Sequence, residues 1–197
     1  MLSLQITVPF ATFTNSRSRE YSASYKYPPP ATIYGFLLSL VGETDRTRHV
    51  GVKIAIGILS HPKSTVVLRT FKRLKEKDIN AKANSRPDYQ EVLCGLNYII
   101  CVDSSEDKNL LENRIQQALE HPENVNRFGG LSLGESRDLI DDIRILEQLP
   151  PFSECKWLLK NSSGEALPIW VDYQGSENTR WETFTLGDFN QQAFCSI

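Results

Sequence analysis

Three consecutive prolines followed by a strongly apolar segment constrain the fold more than any other feature of the chain. Residues 28–30 are all proline, and residues 34–41 then continue with few polar positions. Each proline fixes its own φ and holds the preceding residue extended. The pattern predicts a helix with Thr32 as its N-cap and its end near Gly42. A helix this apolar on nearly every side is expected to pack against a sheet.

Extended segments surround this helix. Leu2 to Val8 alternates apolar and polar residues and predicts a first strand, which we expect Pro9 to end. The same alternation predicts a strand within residues 51–59, and residues 65–71 and 89–102 are the next extended segments. The polar and basic residues between those last two segments predict a hairpin arm, with a disordered loop as the alternative.

A second helix and several short strands complete the coarse order. Apolar residues at helical spacing predict a helix over 107–120, ended by Pro122. Strand candidates follow at 139–145, 157–159, 168–171 and 180–185. The order predicts an α+β, ferredoxin-like, RNA-recognition-type fold for residues 1–145, with residues 146–197 as a small C-terminal β extension packed on the same body. That fold serves many functions, so it names none by itself.

Composition limits the class of protein. The four cysteines form no C-x-x-C pair and the three histidines add no ligand spacing, so we expect no metal and no cofactor. Residues 33–41 form an apolar run far too short for a bilayer, and the N-terminus does not resemble a signal peptide. We therefore expect no membrane association and a cytoplasmic location.

The charges are unevenly divided along the chain. Residues 15–86 carry fourteen Lys or Arg against five Asp or Glu, a net charge of +9, whereas residues 87–197 carry −11. Such an asymmetry is typical of a face that binds a polyanion, attached to an acidic remainder. Chance clustering of charges on solvated surfaces is the alternative.

Two segments have compositions suited to RNA. The loop 10–30 mixes Arg and Lys with Phe and Tyr, which suits single-stranded RNA because phosphates pair with the cations and bases stack on the rings. Residues 127–136 hold three glycines, which let backbone N–H groups approach a phosphate. The alternatives are an ordinary surface loop for the first segment and a tight turn for the second.

Three separated segments, in order, resemble one protein family. Residues 27–43 (YPPPATIYGFLLSLVGE) resemble the N-terminal helix of the fifth CRISPR-associated (Cas) protein family. Residues 86–93 (RPDYQEVL) resemble its return segment, and residues 127–136 (RFGGLSLGES) resemble its glycine-rich stretch. The resemblance is strongest to the DevS-like branch found with type I, I-B-like systems, and it covers most of residues 1–145.

The resemblance implies a ferredoxin-like RAMP body with a β-hairpin thumb at about 64–95. Members of the family bind the 5′ handle of the CRISPR RNA (crRNA) in Cascade. They contact the large subunit and the first backbone subunit, and target DNA meets them within the assembled complex. The candidate RNA-binding residues are Arg17, Arg19, Tyr21, Lys26, Tyr27, Tyr34, Arg69, Lys72, Arg73, Lys75, Arg86, Arg127, Gly129, Gly130, Ser132, Gly134 and Ser136.

Two rival functions stay open at this point. Some members of the family cut the precursor RNA by general acid–base chemistry, for which His49 or His61, with Tyr34 and Lys53, are the available groups. The second rival is a stand-alone RNA-binding regulatory module, although the sequence lacks the aromatic-rich strands that such modules use. We expect a subunit that binds RNA without catalysis.

Overall fold

The computed structural model describes residues 1–16, 18, 21–72, 74–151 and 154–197, with only the backbone of Phe71. The candidate residues Arg17, Arg19 and Arg73 lie outside the described residues. In chain order the elements are β1 (Leu2–Ala11), β2 (Tyr21–Ser22), α1 (Pro30–Leu40), β3 (Lys53–Ile58), β4 (Lys63–Lys72), β5 (Ser85–Asp103), α2 (Leu111–Glu120), β6 (Asp142–Ile145), β7 (Lys156–Trp170), β8 (Arg180–Gly187) and β9 (Cys195–Ser196). Short 3₁₀ turns lie at 82–84, 122–124 and 191–193.

The central sheet has the ferredoxin-like order. Four strands run β6-β1-β5-β3, each antiparallel to its neighbour, and α1 and α2 connect β1 to β3 and β5 to β6. This is the strand–helix–strand, strand–helix–strand plan, with the two halves interleaved in the sheet. The expected α+β, ferredoxin-like fold is confirmed.

Helix α1 is the centre of the main core. Its apolar side chains are buried together with those of β1, β3, β5 and α2. The N-cap is Pro29, so the prediction of Thr32 is wrong: the Pro29 carbonyl accepts from the N–H of Thr32 at 2.9 Å. Proline in the first turn is tolerated because those N–H groups have no partner within the helix. The helix ends where predicted, and Gly42 has φ +67° against the carbonyl of Asn126.

Strand β1 continues two residues past Pro9, which corrects the predicted end at that proline. Its pairing with β6 covers only Leu4–Thr7, whereas its pairing with β5 resumes at Phe10. Pro9 therefore lies where β1 has a neighbour on one side only. Proline is tolerated at such an edge because the missing N–H costs no ladder bond there.

The basic excursion is a hairpin, which we call the arm (residues 63–94). Strand β4 pairs with the first half of β5 from Lys63↔Cys94 to Lys72↔Ser85, and β5 then continues into the body. Asn84 is buried at the tip: its Oδ1 accepts from the N–H groups of Lys75 and Glu76, and its Nδ2 donates to the Glu76 carbonyl at 3.0 Å. One buried amide thus orders the turn.

The C-terminal residues extend the same sheet. Strand β7 pairs with β3 at Gly57↔Trp157 and forms a long hairpin with β8, in place of the three short strands expected. The hairpin is interrupted by an irregular register between Lys160 and Glu165. Phe189 contacts both Trp157 and Phe194 on the sheet face opposite the helices. This face of the sheet is therefore covered over its central strands.

Among the described residues, the helices are all too short or too polar to cross a membrane.

Candidate nucleic-acid interface

A groove crosses the exposed side of α1, and we call it the α1 groove. Thr32, Gly35 and Ser39 form its floor. The glycine-rich segment 127–134 forms one wall, and residues 168–181 of the C-terminal hairpin form the other. Three adjoining recesses of about 400, 360 and 460 Å³ follow one another along it. A Cβ at Gly35 would meet no heavy atom within 4 Å, so the floor is open there.

The first recess is rich in aromatic rings and hydroxyl groups. Phe13, Tyr25 and Trp181 line it together with side chains such as Thr14 and Thr179. Tyr25 is 4% exposed, and its hydroxyl has no hydrogen-bond partner among the described residues. A recess of this chemistry can hold a flat, partly polar group.

Alternating arginine and aromatic side chains form a stack beside the other two recesses, which we call the arginine–aromatic stack. The guanidinium of Arg46 lies 4.7 Å from the Trp170 ring and 4.2 Å from the Tyr173 ring. The guanidinium of Arg180 lies 5.8 Å from the same Trp170 ring. Cation–π attraction stabilises each contact by about 0.5–1 kcal/mol at exposed positions. The Nη1 of Arg46 donates to the Val171 carbonyl at 2.9 Å, which ties the stack to the C-terminal hairpin.

Tyr34 supports this stack from below and does not face the groove. The residue is fully buried, its ring is 6.2 Å from that of Trp170, and its hydroxyl donates to the Arg46 carbonyl at 2.6 Å. Burial raises the pKa of Tyr34 to about 12. Its selection as a residue that contacts RNA is therefore wrong, because its side chain belongs to the core.

The glycine-rich wall is folded tightly by local contacts. Gly129 and Gly134 have φ +81° and +113°, so the tight turn given above as the alternative for this segment is present. A Cβ at Gly134 would lie 2.9 Å from the Thr12 carbonyl, so a side chain would collide with backbone there. The carboxylate of Asp138 accepts from the N–H groups of Thr12 and Glu135 at 2.8 and 2.9 Å. These bonds fix the segment against the loop that follows β1.

Phe128 and Arg127 lie on the same wall, and their side chains differ in exposure. Phe128 is fully exposed, at 106% of its reference area. Arg127 is half-buried, and its Nη1 donates to the Leu40 carbonyl at 3.4 Å, near the C-terminus of α1. Gly130 and Ser136 are exposed, and Ser132 forms a β-bridge with Leu139.

The base of the arm meets the glycine-rich segment through a polar network. Arg69 binds Gln90 and forms an ion pair with Glu135 at 3.2 Å. Gln90 also donates to Glu135 at 2.6 Å and accepts from Arg137 at 2.7 Å. The contact brings together two segments that are far apart in the chain. It also means that the charge of Arg69 is shared with an acidic neighbour.

The other candidates lie on exposed surfaces. Lys72 and Lys75 are exposed on the arm, where Lys72 donates to Ser85 at 2.9 Å, and Arg86 is half-buried. Lys26 is exposed near Glu165, whose carboxylate accepts from its backbone N–H at 3.3 Å.

The two tyrosine candidates differ in setting. Burial raises the pKa of Tyr27, and the negative charge of Glu165 raises it further. Tyr21 is 41% exposed and pairs in register with Tyr89, which pairs in turn with Leu68. Tyr21 therefore lies on the arm side of the body.

His49 is a buried structural residue. It is fully buried, with Nδ1 2.7 Å from the Asp107 carboxylate and Nε2 2.7 Å from Nη1 of Arg114. The same Arg114 atom donates to Glu43 at 2.6 Å. We call these four residues the His49 cluster. With both ring nitrogens engaged and no exposure, His49 is not placed to exchange a proton with RNA.

Sequence reasoning missed Arg46, Phe128, Trp170 and Tyr173 as residues of the site. In the sequence, Arg46 contributes only to the charge balance, and Phe128 lies within the glycine-rich segment without being a candidate. The sequence signal that could have indicated Trp170 and Tyr173 is the group of aromatic residues close to Arg180 within residues 168–181.

Comparisons with known proteins agree on one family. The family model described as CRISPR-associated protein (Cas_Cas5) matches residues 1–156. A protein of Myxococcus xanthus (strain DK1622) described as CRISPR-associated protein Cas5 is 42% identical over 189 residues, which cover 92% of this chain and 88% of that protein.

Two solved structures have a similar fold. A chain of a CRISPR RNA-guided surveillance complex aligns with a TM-score of 0.61 at 11% identity, over 95% of this chain and 90% of that one. A crystal structure of a Cas protein aligns with a TM-score of 0.56 at 13% identity, over 98% and 96% of the two chains. At these identities the likeness shows the shared fold.

Proposed function

Because this chain belongs to the Cas5 family of CRISPR-associated proteins, we propose that it is a non-catalytic subunit of a Cascade-type surveillance complex that binds the 5′ handle of the crRNA. The DevS-like, I-B-like assignment stays part of this proposal. The observation that carries the proposal is the α1 groove, which joins the family's helix segment to its glycine-rich segment on one open surface.

The groove has the chemistry that an unpaired RNA strand requires. Positive φ at Gly129 and Gly134 brings backbone close to the groove, where N–H groups can bind phosphate oxygens. Arg46 and Arg127 line the recess beside Gly35 and contribute positive charge. Exposed aromatic rings along a basic groove are typical of proteins that bind single strands.

The other candidates have the following roles in this proposal. Lys26, with Arg17 and Arg19 outside the described residues, would pair with handle phosphates, and Tyr21 or Tyr27 would stack on a base. On the arm, Lys72 and Lys75, with Arg69 and Arg73, would hold the junction of handle and spacer. Arg86, Gly130, Ser132 and Ser136 supply further donors near these two surfaces.

The arm also suits a role as a contact with partner subunits. Val66, Leu68, Tyr89 and Tyr21 are all exposed, at 52%, 63%, 56% and 41%. The last three pair in register across β4, β5 and β2. We propose that the large subunit and the first backbone subunit contact the chain, and that target DNA is reached in the assembled complex through base pairing with the guide.

The two rival functions are less well supported. Cleavage of precursor RNA would need an accessible imidazole. His49 is fully buried between Asp107 and Arg114, which leaves the exposed His61 as the histidine available to that rival. A stand-alone RNA-recognition module binds bases on its open sheet face. Here Trp157, Phe189 and Phe194 pack over that face.

The test is to co-express the tagged chain with its genomic neighbours and a repeat-spacer array, and to sequence the co-purifying RNA. We expect a large complex whose RNAs share one 5′ end derived from the repeat. A companion reaction combines the purified chain with precursor RNA without magnesium. Specific cutting within the repeat in that reaction would identify the chain as the endoribonuclease, and absence of both RNA and partners would contradict the proposal.

A further inference from the structure

We propose that the recess between Phe128 and Tyr173 holds one unpaired nucleobase of the bound RNA, stacked on the outer face of Tyr173. The inference rests on the proposed function and assigns a role to the C-terminal hairpin, which the family motifs do not cover. It identifies Tyr173 and Phe128 as RNA-binding residues and Arg46 as the residue that positions Tyr173.

The arginine–aromatic stack ends at Tyr173. The series runs from Arg180 to Trp170, from Trp170 to Arg46 and from Arg46 to Tyr173, with separations of 5.8, 4.7 and 4.2 Å. One face of the Tyr173 ring lies on Arg46, whereas the side chain as a whole is 77% exposed. The second face of the ring is therefore available, and a base stacked on it would continue the series.

The inner layers of the stack are rigidly held. Tyr34 fixes Arg46 through its hydroxyl and contacts Trp170, and both connections reach the main core. Arg46 also donates to the Val171 carbonyl through one of its N–H groups. A guanidinium has five N–H donors, so others remain for a phosphate or a base edge. A stacking platform of fixed geometry loses little conformational entropy on binding.

The turn that carries Tyr173 is ordered by its own hydrogen bonds. The Asp172 carboxylate accepts from the N–H of Gln174 at 2.9 Å and from the N–H of Asn178 at 3.3 Å. The N–H of Asp172 donates to the Thr179 hydroxyl at 3.1 Å. The position of Tyr173 is thus set before any ligand binds.

Phe128 bounds the same recess from the glycine-rich wall. The recess has a volume of about 460 Å³ and lies over Gly35 and Ser39 of α1 and over Gly42, which follows the helix. This volume is within the range of about 300–1,000 Å³ that is typical of small-molecule sites. Phe128 is completely exposed, which leaves a large apolar ring in water unless a ligand covers it.

The charges at the recess favour RNA over a protein segment as its occupant. Arg46 and Arg127 line it, and the carboxylate among its lining residues, Glu43, is already bound by Arg48 and Arg114. Within the described part of the chain, Arg46 and Arg127 form no ion pair, so an anionic strand with a flat base meets two cations and an aromatic face. An apolar protein side chain would use the ring and leave the cations unmatched.

The experiment measures the rate at which guide RNA leaves the purified complex, for the native chain, for three variants of Tyr173 and for one control variant. Stacking on one aromatic ring is lost in Tyr173→Ala and Tyr173→Leu, so both are expected to release RNA about 5- to 150-fold faster. Tyr173→Phe keeps the ring and is expected to stay within about twofold of the native rate. Val50→Ala, which truncates a half-exposed side chain outside the groove, is the control.

Each outcome decides one of the claims. Release at the native rate from Tyr173→Ala would overturn the inference and leave handle binding intact. A native rate from Tyr173→Leu, combined with loss of a protein subunit from Tyr173→Ala, would overturn it in favour of a protein contact. A native complex whose RNA shares no 5′ end would overturn the proposed function and the inference with it.

Discussion

The loop between α1 and β3, residues 43–50, contributes to two clusters that each hold one arginine in a different way. In the His49 cluster, Arg114 donates to Glu43, to His49 and to the Val41 carbonyl. In the arginine–aromatic stack, the guanidinium of Arg46 donates one hydrogen bond within the described part of the chain and otherwise lies between two rings. The N–H donors of Arg114 are used within the protein, whereas Arg46 keeps N–H donors that can bind a ligand.

The difference between Arg114 and Arg46 shows why some positive charges stabilise the fold and others remain available for binding. Both arginines are half-buried, but Arg114 lies against buried polar groups, Glu43 and His49, which must be matched by partners in the protein because an unmatched buried charge costs several kcal/mol. A cation supported by aromatic rings at the surface keeps its charge and most of its donors. The excess of Lys and Arg in residues 15–86 therefore overstates the charge that is available to RNA, since Arg48 and Arg69 are also paired with acids.

The largest expected effect is on folding and separates the two clusters directly. His49→Ala leaves the buried Asp107 and the guanidinium of Arg114 without their shared partner, so the free energy of unfolding should fall by about 3–5 kcal/mol. Arg46→Ala removes one part-buried hydrogen bond and the contacts with two rings, and should cost about 1–2 kcal/mol. Urea unfolding of the purified chain measures both. Equal losses in the two variants would contradict the distinction between the clusters.

Acid should weaken the His49 cluster through Glu43. Burial raises the pKa of Glu43, but the N–H of Asp45 and the guanidiniums of Arg114 and Arg48 outweigh it and lower the pKa to about 2. A carboxyl with a depressed folded-state pKa adds stability above its unfolded pKa, and this stability is lost as the pH falls from about 4.5 towards 2. The contribution is on the order of 2–3 kcal/mol.

The variant Glu43→Gln isolates this contribution. It should be less stable than the native chain at pH 7, and the difference should shrink as unfolding is repeated at pH 4 and pH 3. Other carboxyls titrate in the same range, so the measured quantity is the difference between the two proteins. A difference that stays constant with pH would show that the ion pairs of Glu43 do not stabilise the fold.

Across the recess from the arginine–aromatic stack, substitution of Phe128 should affect RNA binding and leave folding unchanged. Phe128 is fully exposed, so Phe128→Ala should change the free energy of unfolding by less than about 0.5 kcal/mol. The loss of one ring that contacts a base should speed release of guide RNA by about fivefold or more. Release rates and urea midpoints are measured on the same preparations. A destabilised variant with native RNA release would reverse the assignment of Phe128.

The smallest expected effect concerns free and paired cations on the arm. Lys72 and Lys75 are exposed, whereas Arg69 is joined to Glu135 and Gln90. The double variant Lys72→Ala/Lys75→Ala should reduce the slope of log affinity against log salt by about 0.7 for each phosphate that the arm no longer neutralises. Arg69→Ala should change this slope less, because its charge is partly compensated. Unchanged slopes in the double variant would remove the arm from the RNA-binding surface.

Local patterns predict the body of the fold well. The proline run and the apolar segment after it give α1 to within a few residues, and alternation in residues 2–8 and 51–59 gives β1 and β3. Thr32 is a wrong N-cap because proline carbonyls and orphan N–H groups already complete that helix end. The sequence pattern divides β7 into two pieces because the irregular register between Lys160 and Glu165 breaks its alternation.

Contacts between distant segments could not be predicted in this way. Arg46 and Trp170 lie in different halves of the chain, and neither local spacing nor composition indicates that they stack. The pairing of Arg69 with Glu135 and the burial of Tyr34 and His49 likewise depend on the completed fold. Sequence reasoning therefore selected segments that line the α1 groove and the arm, but it included the buried Tyr34 and omitted Arg46, Phe128, Trp170 and Tyr173.

Ultraviolet crosslinking of the assembled complex, followed by mass spectrometry of the crosslinked peptides, tests the central claim most directly. The account predicts that the repeat-derived 5′ end of the guide RNA is joined to peptides that line the α1 groove, with Phe128 and Tyr173 among the modified residues. Crosslinks confined to the sheet face under Phe189 and Phe194, or a guide RNA joined only to other subunits, would contradict it.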